Sequence, residues 1–223
     1  MRSLSRGVRS SSVTTPGHAT YRTAARALKP WLRLTERHGS LIRVLTGDAP
    51  IAVQVHYPDG DLIDPSSGTQ CYYHCHRGDA EHGHLHLFRR PCTEEPLSHL
   101  IAISLDQRGL PVALFTVNQW VCADQWLPAS ATLRLFSGVS LHCSGYDRDL
   151  SLWLIQFLRF YRLLVEQLLW QRDQCLQEAG GSLEQRLGDR NLEILSFSEI
   201  DWLADLAAVE TQQISIAQPK IRS

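Results

Sequence analysis

Residues 70–89 read Gln70-Cys71-Tyr72-Tyr73-His74-Cys75-His76-Arg77-Gly78-Asp79-Ala80-Glu81-His82-Gly83-His84-Leu85-His86-Leu87-Phe88-Arg89. Their spacing predicts two strands, Gln70–His76 and His82–Arg89, joined by a short loop. Side chains on a strand alternate between faces. Tyr72, His74 and His76 therefore share one face of the first strand, and Cys71, Tyr73 and Cys75 share the other. On the second strand His82, His84, His86 and Phe88 share a face. If His76 pairs with His82, then His74 faces His84 and Tyr72 faces His86, and five imidazoles line one patch. A register slipped by one residue would place the two sets on opposite faces.

The same period of two extends to both sides. Ile51, Val53, Val55 and Tyr57 alternate with Ala52, Gln54 and His56, which predicts a strand ended by the turn Pro58-Asp59-Gly60. His99–Asp106 and Val112–Asn118 read as a further hairpin around Gln107-Arg108-Gly109. Strands this close together leave no room for crossover helices. The sheet is therefore antiparallel, with about five strands over residues 50–120.

Helical spacing brackets the strands. Tyr21–His38 carries Ala24, Ala25, Leu28, Trp31 and Leu32 at that spacing, with Pro30 predicting a kink or two short helices. Ala129–Phe136 reads as a short helix. Residues 150–178 form a long one, with Asp147 or Asp149 as its cap and an apolar stripe from Leu150 to Leu168. Gly180-Gly181 breaks it, and Ser198 and Glu199 read as the start of a last amphipathic piece through Leu206. The fold class is α+β, the sheet packing against N-terminal and long C-terminal helices. The expected organisation is a disordered basic leader (1–17), one domain over 18–210 (helix 20–38, sheet 50–120, helices 129–206) and a loose tail (211–223).

Composition narrows the function. Of 223 residues, 43% are apolar and 20% charged, and the net charge is −1; a disordered polymer and a protein that binds polyanions by overall charge are excluded. Residues 1–35 hold seven basic groups and no acid, which resembles an organelle transit peptide but reads more simply as a frayed leader. The six cysteines are scattered without a CxxC pair, and residues 1–30 lack an apolar signal segment. Both features predict reduced thiols in a cytoplasmic protein. The most apolar segment, 150–170, carries Arg159, Arg162 and Glu166, so no membrane span is expected. Phosphate-loop, dinucleotide, hydrolase-elbow and HExxH patterns do not occur. Nor does a basic stripe with interleaved aromatics, so nucleic acid is not an expected partner.

The chemistry lies in the histidines. Ten occur, five of them within residues 74–86. Imidazolium ions packed in one patch repel, so such a cluster stays neutral, bonds to carboxylates or binds a cation. Neutral imidazole is the commonest metal ligand. The candidate ligands are His74, His76, His82, His84, His86 and Glu81, for a divalent transition metal (Fe, Zn, Mn, Ni or Cu). Glu81 or Asp79 would orient a ligand histidine or serve as a catalytic base. Asn118 and Trp120 are candidates for the wall of a pocket that takes a small-molecule ligand. His99 shares its strand face with Ile101, Ile103 and Leu105, so it reads as a satisfied core histidine, or as a ligand if its strand neighbours the hairpin.

Two resemblances follow. Gly68, His74, His76 and Glu81 are spaced as in the first half of the first cupin motif, which implies a metal inside a β-barrel; the later glycine of that motif is replaced by Phe88, and His142 is the nearest candidate for a second motif. The segments Glu81–Phe88, His99–Asp106 and Leu114–Trp120 resemble an uncharacterised bacterial family over residues 50–205, and that likeness brings no activity. The expected function is metal binding, with metalloenzyme chemistry as its extension. The alternative is a non-enzymatic metal- or pH-responsive or partner-binding protein with structural histidines.

Overall fold

Period-two segments pair with their sequence neighbours throughout the protein. The computed structural model describes residues 21–48, 50–76, 81–92 and 94–217. Six strands form one antiparallel sheet in chain order: β1 (Tyr57–Asp64), β2 (Thr69–His74), β3 (Gly83–Arg89), β4 (Ser98–Leu105), β5 (Pro111–Val117) and β6 (Ile194–Glu199). The helices are α1 (Tyr21–His38), α2 (Leu41–Thr46), α3 (Gln119–Cys122), α4 (Ala129–Ser137), α5 (Arg148–Phe160), α6 (Arg162–Glu178), α7 (Leu183–Leu187) and α8 (Trp202–Ala217). The fold class is α+β, as expected. The sheet is an up-and-down meander with β1 and β6 at opposite edges, not the barrel that the cupin likeness implies.

The sheet has a helix face and a histidine face. Cys71, Tyr73, Leu85, Leu87, Ile101, Ile103 and Leu114 are buried in one cluster with Leu34, Leu41, Trp153, Phe157 and Leu168 from the helices. Trp202 completes it, lying edge-on to Trp31 with ring centroids 5.3 Å apart. The alternate residues of β2 and β3 point the other way.

Several local readings change. Residues 51–56 are not a strand; β1 begins at Tyr57 and runs through Pro58-Asp59-Gly60. It does so because it is an edge strand with a bulge. Its register against β2 slips between Tyr57 and Leu62, and Gly60 and Asp61 take positive φ values of 77° and 60°. Pro30 does not divide α1: the proline is buried, and packing offsets the missing N–H bond. The long C-terminal helix is two, broken at Tyr161, with Asp147 as the cap of α5. Ser198 and Glu199 end β6 rather than start a helix, and Thr116 and Ser196 share a buried hydrogen bond of 2.6 Å where β6 pairs with β5. The helix start is instead marked by Asp201, whose carboxylate accepts from the Ala204 N–H. Helix α8 continues past Glu210 to Ala217. Residues 1–17, read as a leader, lie outside the described residues.

Two acids fasten α1 to the start of α5. Arg33 Nε donates to Asp149 at 2.9 Å, and Arg37 Nη2 reaches Asp147 at 2.7 Å and Asp149 at 2.8 Å. Arg33, one of the seven basic groups of the acid-free segment 1–35, thus belongs to the packed domain, in the helix expected over 20–38. The Arg33 hydrogen bond, aided by Arg37, holds the Asp149 carboxyl at about 2, below its ordinary value of 3.8. A carboxylate with a depressed value stabilises the fold above its unfolded value, and that contribution is lost as pH falls from about 4 towards 2. Asp149→Asn is expected to lower the thermal midpoint by about 2–4 °C near neutrality, with the gap to wild type closing below pH 4. Melting curves across pH check it; a gap that persists at pH 2 would contradict it.

Candidate metal centre

The β2–β3 register is the one that gathers the histidines: Tyr72 opposes His86 and His74 opposes His84. His74 Nε2 and His84 Nε2 are hydrogen-bonded at 2.7 Å, and the His76 ring centroid is 4.9 Å from that of His74 and 5.1 Å from that of His84. One ligand nitrogen from each of His74, His76 and His84 falls within 4.8 Å of the others. His84 is buried, His74 half-buried and His76 exposed, so the trio opens to solvent at one side.

The carboxylate of Glu81 accepts from His84 Nδ1. That bond places the proton on Nδ1 and aims the Nε2 lone pair at the trio, the arrangement in which a carboxylate orients a metal-binding imidazole. Burial, then the neighbouring His84 and His76, holds His74 at about 3, below its ordinary 6.5. At neutral pH His74 is uncharged and able to donate a lone pair.

A second group lies next along β3. His86 Nδ1 is 2.9 Å from His99 Nε2 and 3.8 Å from the Cys122 sulfur. Burial pushes His86 well below the ordinary histidine range and His99 to about 3. The Cys122 thiol is raised to about 12, by burial first and then by Asp124.

Sequence alternation puts His99 on the face of Ile101 and Ile103; in the structure it is buried and hydrogen-bonded, but on the opposite face. Leu87 pairs with Ile101 but Phe88 pairs with His99, so a bulge at Leu100 turns His99 to the histidine face. Cys122 arrives on α3, which Asn118 caps by accepting the Gln119 N–H. Asp124, just beyond, accepts the backbone N–H of His99 at 2.7 Å and ties this segment to β4. No short-range signal marks the bulge; the Asn118 cap before the helical turn could have located Cys122.

The remaining expected residues fall as follows. His82 leaves the cluster: it precedes β3 and bonds through Nδ1 to the Tyr73 hydroxyl at 2.5 Å, on the helix side. Glu81 supports His84 rather than joining the trio. Asp79 lies outside the described residues. Asn118 is buried in its capping role and also donates to the Arg186 carbonyl, while Trp120 Nε1 donates to the Leu192 carbonyl at 3.0 Å. Neither lines the cleft beside the cluster. That cleft, about 560 Å3, is lined by His56, Tyr72, Phe88, Arg90, Cys122 and Asp124 among others. His56 stacks on Tyr72 with centroids 3.6 Å apart and pairs with Asp61. His142 bonds to Asp64, at the end of the β1–β2 hairpin away from His74.

Gly83 sets the spacing of the hairpin. A Cβ there would stand 2.3 Å from the Tyr73 hydroxyl and 2.6 Å from the His74 carbonyl oxygen. Gly83→Ala is expected to cost about 1–3 kcal/mol and to disturb the His74–His84 pairing. Denaturant unfolding checks the first, and the imidazole NMR signals of those two histidines the second. A variant as stable as wild type would show that Tyr73 moves aside freely.

A family model described as a domain of unknown function (DUF6969) matches residues 22–200, and the chain belongs to that family. No curated protein and no solved structure matches it.

Proposed function

We propose, for this member of a family whose description carries no activity, that the protein binds a divalent transition metal through His74, His76 and His84, with Glu81 fixing the orientation of His84. One observation carries this reading: three imidazole nitrogens within 4.8 Å of one another, one of them backed by a buried carboxylate. Three nitrogen ligands make an open site, leaving a coordination position for water or a substrate atom. Such a set suits zinc, iron, nickel or copper better than calcium or magnesium, which take oxygen ligands.

Metal binding needs the pair His74–His84 to give up its mutual hydrogen bond. If His84 holds its proton on Nδ1 against Glu81, then His74 Nε2 is the donor of that bond. An incoming ion takes both lone pairs once the His74 proton shifts to Nδ1. His74 brings no charge that must be expelled, because burial already holds it neutral. A bound ion would polarise a substrate or lower the pKa of a water, which is the chemistry expected of a metalloenzyme. The cleft bordered by Tyr72 and Cys122 is of the size that takes a small molecule.

Elemental analysis of tag-free protein, reconstituted separately with Fe(II), Zn, Mn, Ni and Cu, tests the reading. Near-stoichiometric metal is expected in wild type, with loss at this site in His74→Ala/His84→Ala. Glu81→Gln should keep the ligands but weaken affinity about 10–100-fold by titration calorimetry. Wild type that takes up none of the five ions overturns the proposal.

A further inference from the structure

We propose that His86, His99 and Cys122 form a second, softer metal site, separate from the three-histidine site and reached through the cleft. The three side chains come from β3, β4 and α3, and their ligand atoms lie within 4.8 Å of one another. Each needs its own local device to be there. His86 is on the face set by the β2–β3 register, His99 arrives by the bulge at Leu100, and Cys122 is delivered by the Asn118-capped turn. The Asp124 bond to the His99 backbone locks the second device to the third.

The surroundings favour a bound ion. Phe115 and Val117, with Val121 beside them, make an apolar floor on this side of the sheet. His86 and His99 are 1% and 5% exposed, so any ion they hold is shielded from bulk water. Cys122 also lines the 560 Å3 cleft with Tyr72 and Phe88, which gives the site an entrance and a wall for an outside ligand.

The donor set differs in kind from that of the neighbouring site. Two nitrogens and one sulfur favour thiophilic ions such as zinc or copper over manganese. On binding, the Cys122 S–H proton leaves to solvent, a sulfur–metal bond forms, and no electron changes hands. The two trios meet at His84 and His86 on β3, whose ring centroids are 4.7 Å apart. They share no ligand and stand or fall separately.

Cobalt(II) titration of the full chain under reducing, anaerobic conditions tests this. Wild type is expected to bind two ions and to show a sulfur-to-cobalt charge-transfer band in the near ultraviolet. Cys122→Ser and His99→Gln should each bind one ion, and Cys122→Ser should lose the band. His74→Ala/His84→Ala should keep the band and lose the other ion. X-ray absorption on zinc-loaded wild type needs no variant and should show a sulfur shell at about 2.3 Å besides nitrogen. Wild type with nitrogen and oxygen shells only, or a band that survives Cys122→Ser, overturns the second site. A band with only one ion bound supports the second site and overturns the first.

Discussion

The pairing of His74 with His84 is the constraint on which the rest depends. It is the visible mark of the β2–β3 register, and with a period of two that register assigns every side chain of both strands to a face. One residue of slip would bury His84 and His86 among the helices and expose Leu85 and Leu87. The helix side supplies the energy that prevents it. Tyr73, Leu85 and Leu87 are all almost wholly buried against α1, α5 and their neighbours, and burying side chains of this size contributes about 1.5–3 kcal/mol each. The apolar face therefore sets the register, and the polar face inherits its geometry.

Burial without charge governs the histidine face. An imidazolium inside this sheet would lose its hydration and repel its neighbours, so His74, His86 and His99 are held neutral. Neutral rings still carry a donor and an acceptor each, and the cluster satisfies them pairwise: His74 with His84, His84 with Glu81, His86 with His99. A set of neutral imidazoles with aligned nitrogens is also a set of metal ligands. The same desolvation leaves ring nitrogens that could hold a metal ion.

Much of this was legible in the residues. The period of two around His74, His76, His84 and His86 predicts their shared face, and the crowding of strands predicts an antiparallel α+β fold. What escaped depends on exceptions to that period. His82 sits one residue before β3, where alternation no longer applies, and turns to Tyr73. His99 changes face because a bulge inserts Leu100, and a bulge is a property of two paired strands rather than of one sequence segment. Cys122 is far along the chain and joins only when the meander brings the end of β5 beside β4. β6 was missed for a related reason: its buried Ser196 and Ser198 read as polar positions until Thr116 supplies a partner.

Two of these exceptions, His99 and Cys122, lie on the histidine face, and that placement carries meaning. The helix face of the sheet follows the simple rule, with alternating apolar residues on β2 and β3. The histidine face has the bulge at Leu100, the left-handed Ala123 after α3 and the buried Glu81. A sheet that needed only a cover for this face could use Val or Leu at positions 84, 86 and 99, without desolvating three rings and a carboxylate. Hydrophobic residues of similar volume are usually neutral or stabilising in place of such polar clusters. The bulge and the turn after β5 instead bring nitrogen and sulfur atoms within 4.8 Å of one another, an arrangement that packing alone does not require.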